Sequence, residues 1–181
     1  MIDLTLRPYQ ASDLPSMVQL FRTTVQTINR LDYTPAQIQA WVGTDDVTTR
    51  EKWRQSLAAH VSWVAESNGQ LVGFADMAAD GYLDRLYVHA DYQGMGIASQ
   101  LVAQLEAQVA APCYVTLASI TARPFFEQRG YRCVRANQVE RGAWFYVILK
   151  CTRTPANNYK NGPDAVSKRL VHFGHQNVTV K

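Results

Sequence analysis

Hydrophobic and polar positions change their period several times along the chain, and each change marks an element. Ile2, Leu4 and Leu6 alternate with Asp3, Thr5 and Arg7, which predicts a first strand with one buried face. From Leu14 the period lengthens. Leu14, Met17, Val18, Phe21, Val25 and Ile28 fall along one stripe of a helix that Ser12 can cap. Thr34-Pro35-Ala36-Gln37 is a helix start with a cap, a first-turn proline and a capping-box glutamine, and the short helix behind it carries Ile38 and Trp41. Asp46 caps a third helix that buries Trp53 and Leu57. Alternation returns at Val61, Trp63 and Ala65. Asn68-Gly69 then signals a hairpin, Leu71 to Met77 forms its return strand, and Asp80-Gly81 makes a second tight turn.

Leu83 to Val102 joins both periods in one stretch. Leu83, Leu86, Tyr87 and Val88 are strand-formers, with Leu86 and Val88 on one face. A polar turn from His89 to Gln93 leads into Gly94-Met95-Gly96. Ile97, Leu101, Val102, Leu105 and Val109 then mark a helical stripe. Pro112 breaks the pattern before a strand at Tyr114 to Leu117. A short helix from Thr121 to Gln128 ends at Arg129-Gly130, and Tyr131 to Val139 and Ala143 to Cys151 close a hairpin around Arg141-Gly142. No repeat emerges. This order predicts an α+β fold with a mixed, mostly antiparallel central sheet of about seven strands. The strands on either side of the 97–109 helix form its one parallel βαβ pair. Residues 1–151 read as one domain and 152–181 as a tail, broken by Pro155 and Asn161-Gly162-Pro163.

Composition changes the picture in three places. Nearly half of the 181 residues are hydrophobic, which excludes a disordered chain and supplies a substantial core. The net charge of +3 is unevenly placed: from residue 151 onward five basic residues oppose only Asp164, so the first 150 residues are close to neutral. The basic excess belongs to the tail, and nucleic acid is not expected as a partner of the domain. A solvated extension is the simplest reading of the tail, and His172 and His175 within it lack a third metal ligand. Cys113, Cys133 and Cys151 are odd in number and widely spaced. They read as buried reduced thiols and hence as a cytoplasmic protein. No CxxC pair supports a structural zinc, and no metal is expected. No apolar run approaches the roughly 20 residues of a membrane span, and the first residues lack a signal-peptide pattern.

The glycines at the helix start carry the chemistry. A helix N-terminus without bulky side chains leaves amides unpaired and attracts an anion. A Walker loop is excluded because no Gly-Lys-Ser/Thr occurs. The dinucleotide fingerprint is half met by Gly94, Gly96 and Ser99, but no acid-ended strand follows at the required distance. The pattern Gln-x-x-Gly-x-Gly/Ala is met in full by Gln93-Gly94-Met95-Gly96-Ile97-Ala98. Here the chain resembles the GNAT superfamily of acetyl-CoA-dependent N-acetyltransferases. A second motif of that family, Asn-x-x-Ala-x-x-Leu-Tyr-x-x-x-Gly-Phe, aligns with Ser119, Ala122, Phe125, Phe126, Gly130 and Tyr131, with spacing kept and identity partial.

The resemblance implies a three-layer α/β/α arrangement with acetyl-CoA bound where the fourth and fifth strands part. Amides of Gly94, Met95, Gly96, Ile97 and Ala98, flanked by Gln93 and Ser99, would hold the pyrophosphate. Leu86 and Val88 would pair with the pantetheine arm, and an amide near Leu86 or Tyr87 would polarise the thioester carbonyl. An ammonium acceptor must lose a proton before it attacks, and the family's base positions fall on Tyr82 and Asp84. Asp84 is the leading base; alternatively it pairs with Arg85 or caps a turn. Phe126 occupies the place of the family's usual tyrosine acid and cannot donate a proton, which leaves Tyr131 and Tyr146 as donors or an unaided thiolate. Ser119 replaces the family's asparagine beside pantetheine. Cys133 as a nucleophile lacks a histidine partner. Tyr33, Trp41, Trp53 and Trp144 either line a pocket for a small-molecule amine or belong to the core. The sequence leaves a homodimer open and contains no membrane segment. The competing function is a non-catalytic acyl-CoA-binding or protein-interaction module, favoured by Phe126 and the basic tail.

Overall fold

The computed structural model describes residues 3–141 and 144–155. Strands run at Leu4–Pro8 (β1), Val61–Ser67 (β2), Gln70–Met77 (β3), Tyr82–Val88 (β4), Tyr114–Ala118 (β5), Arg132–Arg141 (β6) and Trp144–Arg153 (β7). Helices occupy Leu14–Ile28 (α1), Pro35–Val42 (α2), Val47–Ala59 (α3), Ile97–Gln108 (α4) and Arg123–Gln128 (α5). The strands form one sheet in the order β1-β2-β3-β4-β5-β7-β6, antiparallel throughout except between β4 and β5. This is the expected α+β layout with its single parallel pair. Because β7 extends to Arg153, it passes the expected domain end; most of the tail, with His172 and His175, lies outside the described residues.

Two cores flank the sheet. On one face α4 lays Ile97, Leu101 and Leu105 against Leu83, Leu86 and Val88 of β4. On the other face α1, α2 and α3 bring Met17, Phe21, Trp41 and Trp53 onto Phe74 and Tyr87. The sheet alternation sends Leu86 and Val88 to one core and Tyr87 to the other, as a strand buried on both faces requires. No helix of the described residues is long and apolar enough to cross a membrane.

Local chemistry sets the element ends. Thr34 Oγ1 accepts the Gln37 N–H at 3.3 Å while Gln37 Oε1 accepts the Thr34 N–H at 2.9 Å, a complete capping box. Asp46 Oδ1 accepts the Thr49 N–H at 2.8 Å and starts α3. Before α1 the expected Ser12 cap is replaced by a 3-10 turn over Ala11–Asp13, in which Asp13 accepts the Gln10 N–H at 2.8 Å. Asp13 is drawn there by Arg7 of β1, whose Nη2 lies 2.7 Å from its carboxylate. Gly81 turns the chain into β4 with φ +90°, and a Cβ there would sit 2.5 Å from the Cys113 carbonyl oxygen, so only glycine fits.

The cysteines differ from expectation. Cys133 and Cys151 face each other across β6 and β7 with Cα atoms 4.1 Å apart and are joined as a disulfide. Cys113 stays outside the disulfide as a partly exposed thiol. The expected set of three reduced thiols is thus one thiol and one disulfide, because the hairpin register pairs Cys133 with Cys151, and cysteine usage does not point to the cytoplasm.

Candidate active site

β4 and β5 pair only at Tyr82↔Val115 and Leu83↔Thr116, although β4 runs on to Val88 and β5 to Ala118. Thr116 marks the parting point, its buried hydroxyl donating to the Leu83 carbonyl at 3.0 Å. Beyond it the two strands form a fork. The other edge of β4 stays paired with β3: the His89 N–H donates to the Val72 carbonyl at 2.8 Å, and the Tyr87 carbonyl approaches Gly73. Main-chain direction alternates along a strand, so the amides and carbonyls of Leu86 and Val88 face into the fork while those of Tyr87 face β3. Of the two amides considered for the thioester carbonyl, Leu86 is therefore the one turned toward the fork.

The fork leads to the N-terminus of α4. Gly96 caps that helix with φ +77° and, as glycine, offers its first turn no side-chain acceptor. Gly94 shares the left-handed conformation with φ +72°. A Cβ built on either glycine meets nothing within 4 Å, so backbone conformation rather than crowding demands glycine here, and the space before the first-turn amides is open. A cavity of about 280 Å³ occupies that space, lined by Val88, Gln93, Gly94, Gly96, Ser99 and Phe125 among others. Ile97 and Ala98 line it as well, although their side chains turn into the core, and Met95 is exposed beside it. This cradle of backbone donors suits a pyrophosphate, and the fork suits an extended arm.

Gln93 has a second task. Its side-chain amide donates to the Val88 carbonyl at 2.6 Å, where the Thr24 hydroxyl also donates at 3.4 Å. The motif glutamine thus folds the glycine turn back onto the end of β4. Ser119, fully buried, accepts the Ala122 N–H at 3.1 Å through its hydroxyl, so it holds the approach to α5. Phe126 is 0 % exposed and packs edge-on to Tyr131 at 5.1 Å, whereas Phe125 is the ring that reaches the cavity. Sequence reasoning passed over Phe125 because its motif position carries an ordinary hydrophobe.

The expected proton-transfer residues are separated. Asp84 lies at the β4 bulge: Met77 faces Leu83 and Asp76 faces Arg85, which leaves Asp84 as the extra residue. Its carboxylate is 3.1 Å from Arg85 Nη2, the ion pair foreseen as an alternative. Tyr82, half-buried, packs beside the α1–α3 core. Tyr131 donates its hydroxyl proton to Glu106 Oε1 at 2.8 Å, and Glu106 is also held by Arg153 at 2.7 Å. Burial, reinforced by the Glu106 charge, pushes the Tyr131 hydroxyl far above its ordinary range, so it is firmly protonated and engaged. Tyr146 and Trp144 have side chains outside the described residues.

Trp41 and Trp53 are core residues rather than pocket walls. Tyr33 packs against Trp41 and borders a separate hollow of about 260 Å³ with Arg30 and Ile38. His89 accepts the Asp91 N–H and stays in the loop. Asp76 and His60, not singled out from sequence, stand behind Arg85. Their signal was present as a lone acid inside the apolar run of β3, Leu71 to Met77. His60, Asp76 and Asp84 bring one ligand-type atom each within 4.8 Å of one another, and Arg85 supplies the cation among them.

A family model described as an acetyltransferase (GNAT) domain matches residues 29–148. YafP of Escherichia coli K12, described as an uncharacterized N-acetyltransferase, is 37% identical over 147 residues, covering 80% of this chain and 93% of YafP. Among solved structures, a GCN5-related N-acetyltransferase from Rhodopseudomonas palustris superposes with a TM-score of 0.79 at 26% identity, covering 86% of this chain and 98% of the other. YncA from Salmonella typhimurium, solved with its cofactor acetyl-CoA, shares the fold with a TM-score of 0.64 at 18% identity, over 90% and 99% of the two chains. The chain therefore belongs to the GNAT family of N-acetyltransferases.

Proposed function

We propose that the protein moves the acetyl group of acetyl-CoA to the amine of a small molecule by direct attack in a ternary complex. The observation that carries this reading is the fork between β4 and β5, which opens beside a helix start capped by glycine. The amides around Gly94, Gly96, Ile97 and Ala98 bind pyrophosphate, and the main-chain groups of Leu86 with the N–H of Val88 pair with the pantetheine arm, the Val88 carbonyl being held by Gln93 and Thr24. Acetyl-CoA supplies an activated acyl group. The Leu86 N–H polarises the thioester carbonyl. Asp84, at the bulge where the strands part, takes the proton that an ammonium acceptor must lose, directly or through one water. With Phe126 unable to donate, CoA leaves as a thiolate, a competent leaving group on its own.

The test is thiol release from acetyl-CoA with tyramine, hexylamine and spermidine as probe amines, alongside calorimetric titration of CoA. Saturable CoA binding with amine-dependent thiol release is expected. Absence of CoA binding overturns the reading. The Arg85 ion pair on Asp84 favours one competitor, a non-catalytic acyl-CoA-binding module. Binding without turnover, indifferent to Asp84→Asn, would establish it instead.

A further inference from the structure

Asp76 and Arg85 are charged side chains at positions where the alternation of β3 and β4 calls for hydrophobes. Asp76 is 0 % exposed and Arg85 3 %. Arg85 Nη1 lies 3.1 Å from Asp76 Oδ2 and Nη2 lies 3.1 Å from Asp84 Oδ2. The same guanidinium donates to the Ser56 hydroxyl and stacks 4.6 Å over the Trp53 ring. On its other side, Asp76 Oδ2 meets His60 Nδ1 at 2.6 Å. His60 follows α3 and is the most exposed member of the group. Asp76 Oδ1 and Arg85 Nε are buried with no hydrogen-bond partner among the described residues.

A buried, incompletely satisfied ionic group is a poor way to stabilise a core, since apolar residues of the same volume serve as well or better. Its position at the bulge that carries Asp84 gives it another use. One guanidinium charge is shared between two carboxylates. The Asp76 charge opposes ionisation of Asp84 while the Arg85 charge favours it, and the hydrogen bond from His60 disperses part of the Asp76 charge. We infer that Asp76 and His60 are positioning residues which hold Arg85 in place, fixing the Asp84 carboxylate at the fork and setting the net charge it feels. This rests on Asp84 being the base. The carboxylate so placed is the one that accepts the acceptor's proton. Tyr9, which follows β1, feels the Arg85 charge together with those of Asp13 and of Arg54 in α3.

The experiment is the pH profile of kcat/KM, measured with acetyl-CoA and the fastest of the three probe amines, for the parent protein, Asp84→Asn, Asp76→Asn and His60→Ala. CoA affinity is measured for each. Asp84→Asn is expected to abolish the acid limb. If it leaves rate and limb unchanged, Asp84 is not the base and the underlying reading fails. With that limb assigned, Asp76→Asn should move it down by about one pH unit, because the repulsion from the Asp76 charge is removed while Arg85 remains. His60→Ala should move it up, because the Asp76 charge loses its hydrogen bond and acts more strongly on Asp84. CoA affinity should stay at the parent value in both. Limbs that stay in place, or that move in the same direction, overturn the inference. If Asp76→Asn does not fold, His60→Ala, at a part-exposed site, decides alone: an unmoved limb refutes the relay.

Discussion

Gly96 shows how a single residue answers at once to the fold and to the proposed ligand. Its φ of +77° costs an L-residue about 1–2 kcal/mol, yet nothing within 4 Å opposes a Cβ. Gly96→Ala should therefore lower stability by about 1 kcal/mol and weaken CoA binding modestly. Gly96→Trp carries the same backbone cost but fills the open space before the α4 amides, so CoA affinity should collapse while the urea midpoint matches that of the alanine variant. Retention of parent affinity by the tryptophan variant would remove pyrophosphate from this turn. This residue was legible because its motif spells out a backbone requirement. Asp76 was not, because its meaning depends on facing Arg85 across a strand pair and on a bulge that shifts the register by one. Phe125 and Phe126 show the same limit. Adjacent aromatic residues on a short helix divide between cavity and core, and only the packing of α5 tells which goes where.

At the scale of elements, period and capping chemistry account for most of what the structure shows. The capping box at Thr34, the Asp46 cap and the Asn68-Gly69 turn are local devices whose partners lie within three residues, so sequence alone reveals them. The α1 start was misplaced because its controlling partner, Arg7, comes from a strand. The fork is likewise non-local. It depends on β5 leaving β4 after two residue pairs, with Thr116 closing the last carbonyl. Thr116→Val keeps the shape and leaves the buried Leu83 carbonyl without that donor, which should cost about 1–3 kcal/mol in urea unfolding. An unchanged midpoint would mean that another group satisfies Leu83. Arg7 and Asp13 link β1 to the turn before α1 in a pH-dependent way. Burial alone would raise the Asp13 carboxyl, but hydrogen bonds from Arg7 and from the Gln10 N–H outweigh it and hold it below its ordinary value. A lowered carboxylate contributes stability above the unfolded-state value of about 3.9, and that contribution disappears as pH falls through the folded-state value. Asp13→Asn should therefore be less stable than the parent at pH 7, and the gap should close progressively below about pH 4. A gap that stays constant with pH would show that the Asp13 charge is not the cause.

Across the whole molecule, one row of residues ties the distal hairpin to the fork. Cys133 faces Cys151, Cys151 faces Thr116, and Thr116 faces Leu83, so the row runs from β6 through β7 and β5 to β4. Glu106 of α4 adds a second tie through Arg153 of β7 and Tyr131. The hairpin completes the sheet on the side where the fork opens, and the angle between β4 and β5 depends on β5 being held by β7 while β4 is held by β3. The disulfide is the covalent element of that support, across a sequence separation of 18 residues. Closing a loop of that order restricts the unfolded chain by about 3 kcal/mol in the chain-entropy account. Reduction should lower the unfolding free energy by about that amount. Titration of the denatured, unreduced protein with a thiol reagent should find one reactive cysteine, Cys113, rising to three after reduction. Three reactive thiols before reduction would disprove the bond. Double replacement of Cys133 and Cys151 by serine should weaken CoA binding less than it weakens the fold, because the cradle itself belongs to α4 and β4 and only its outer support has been loosened.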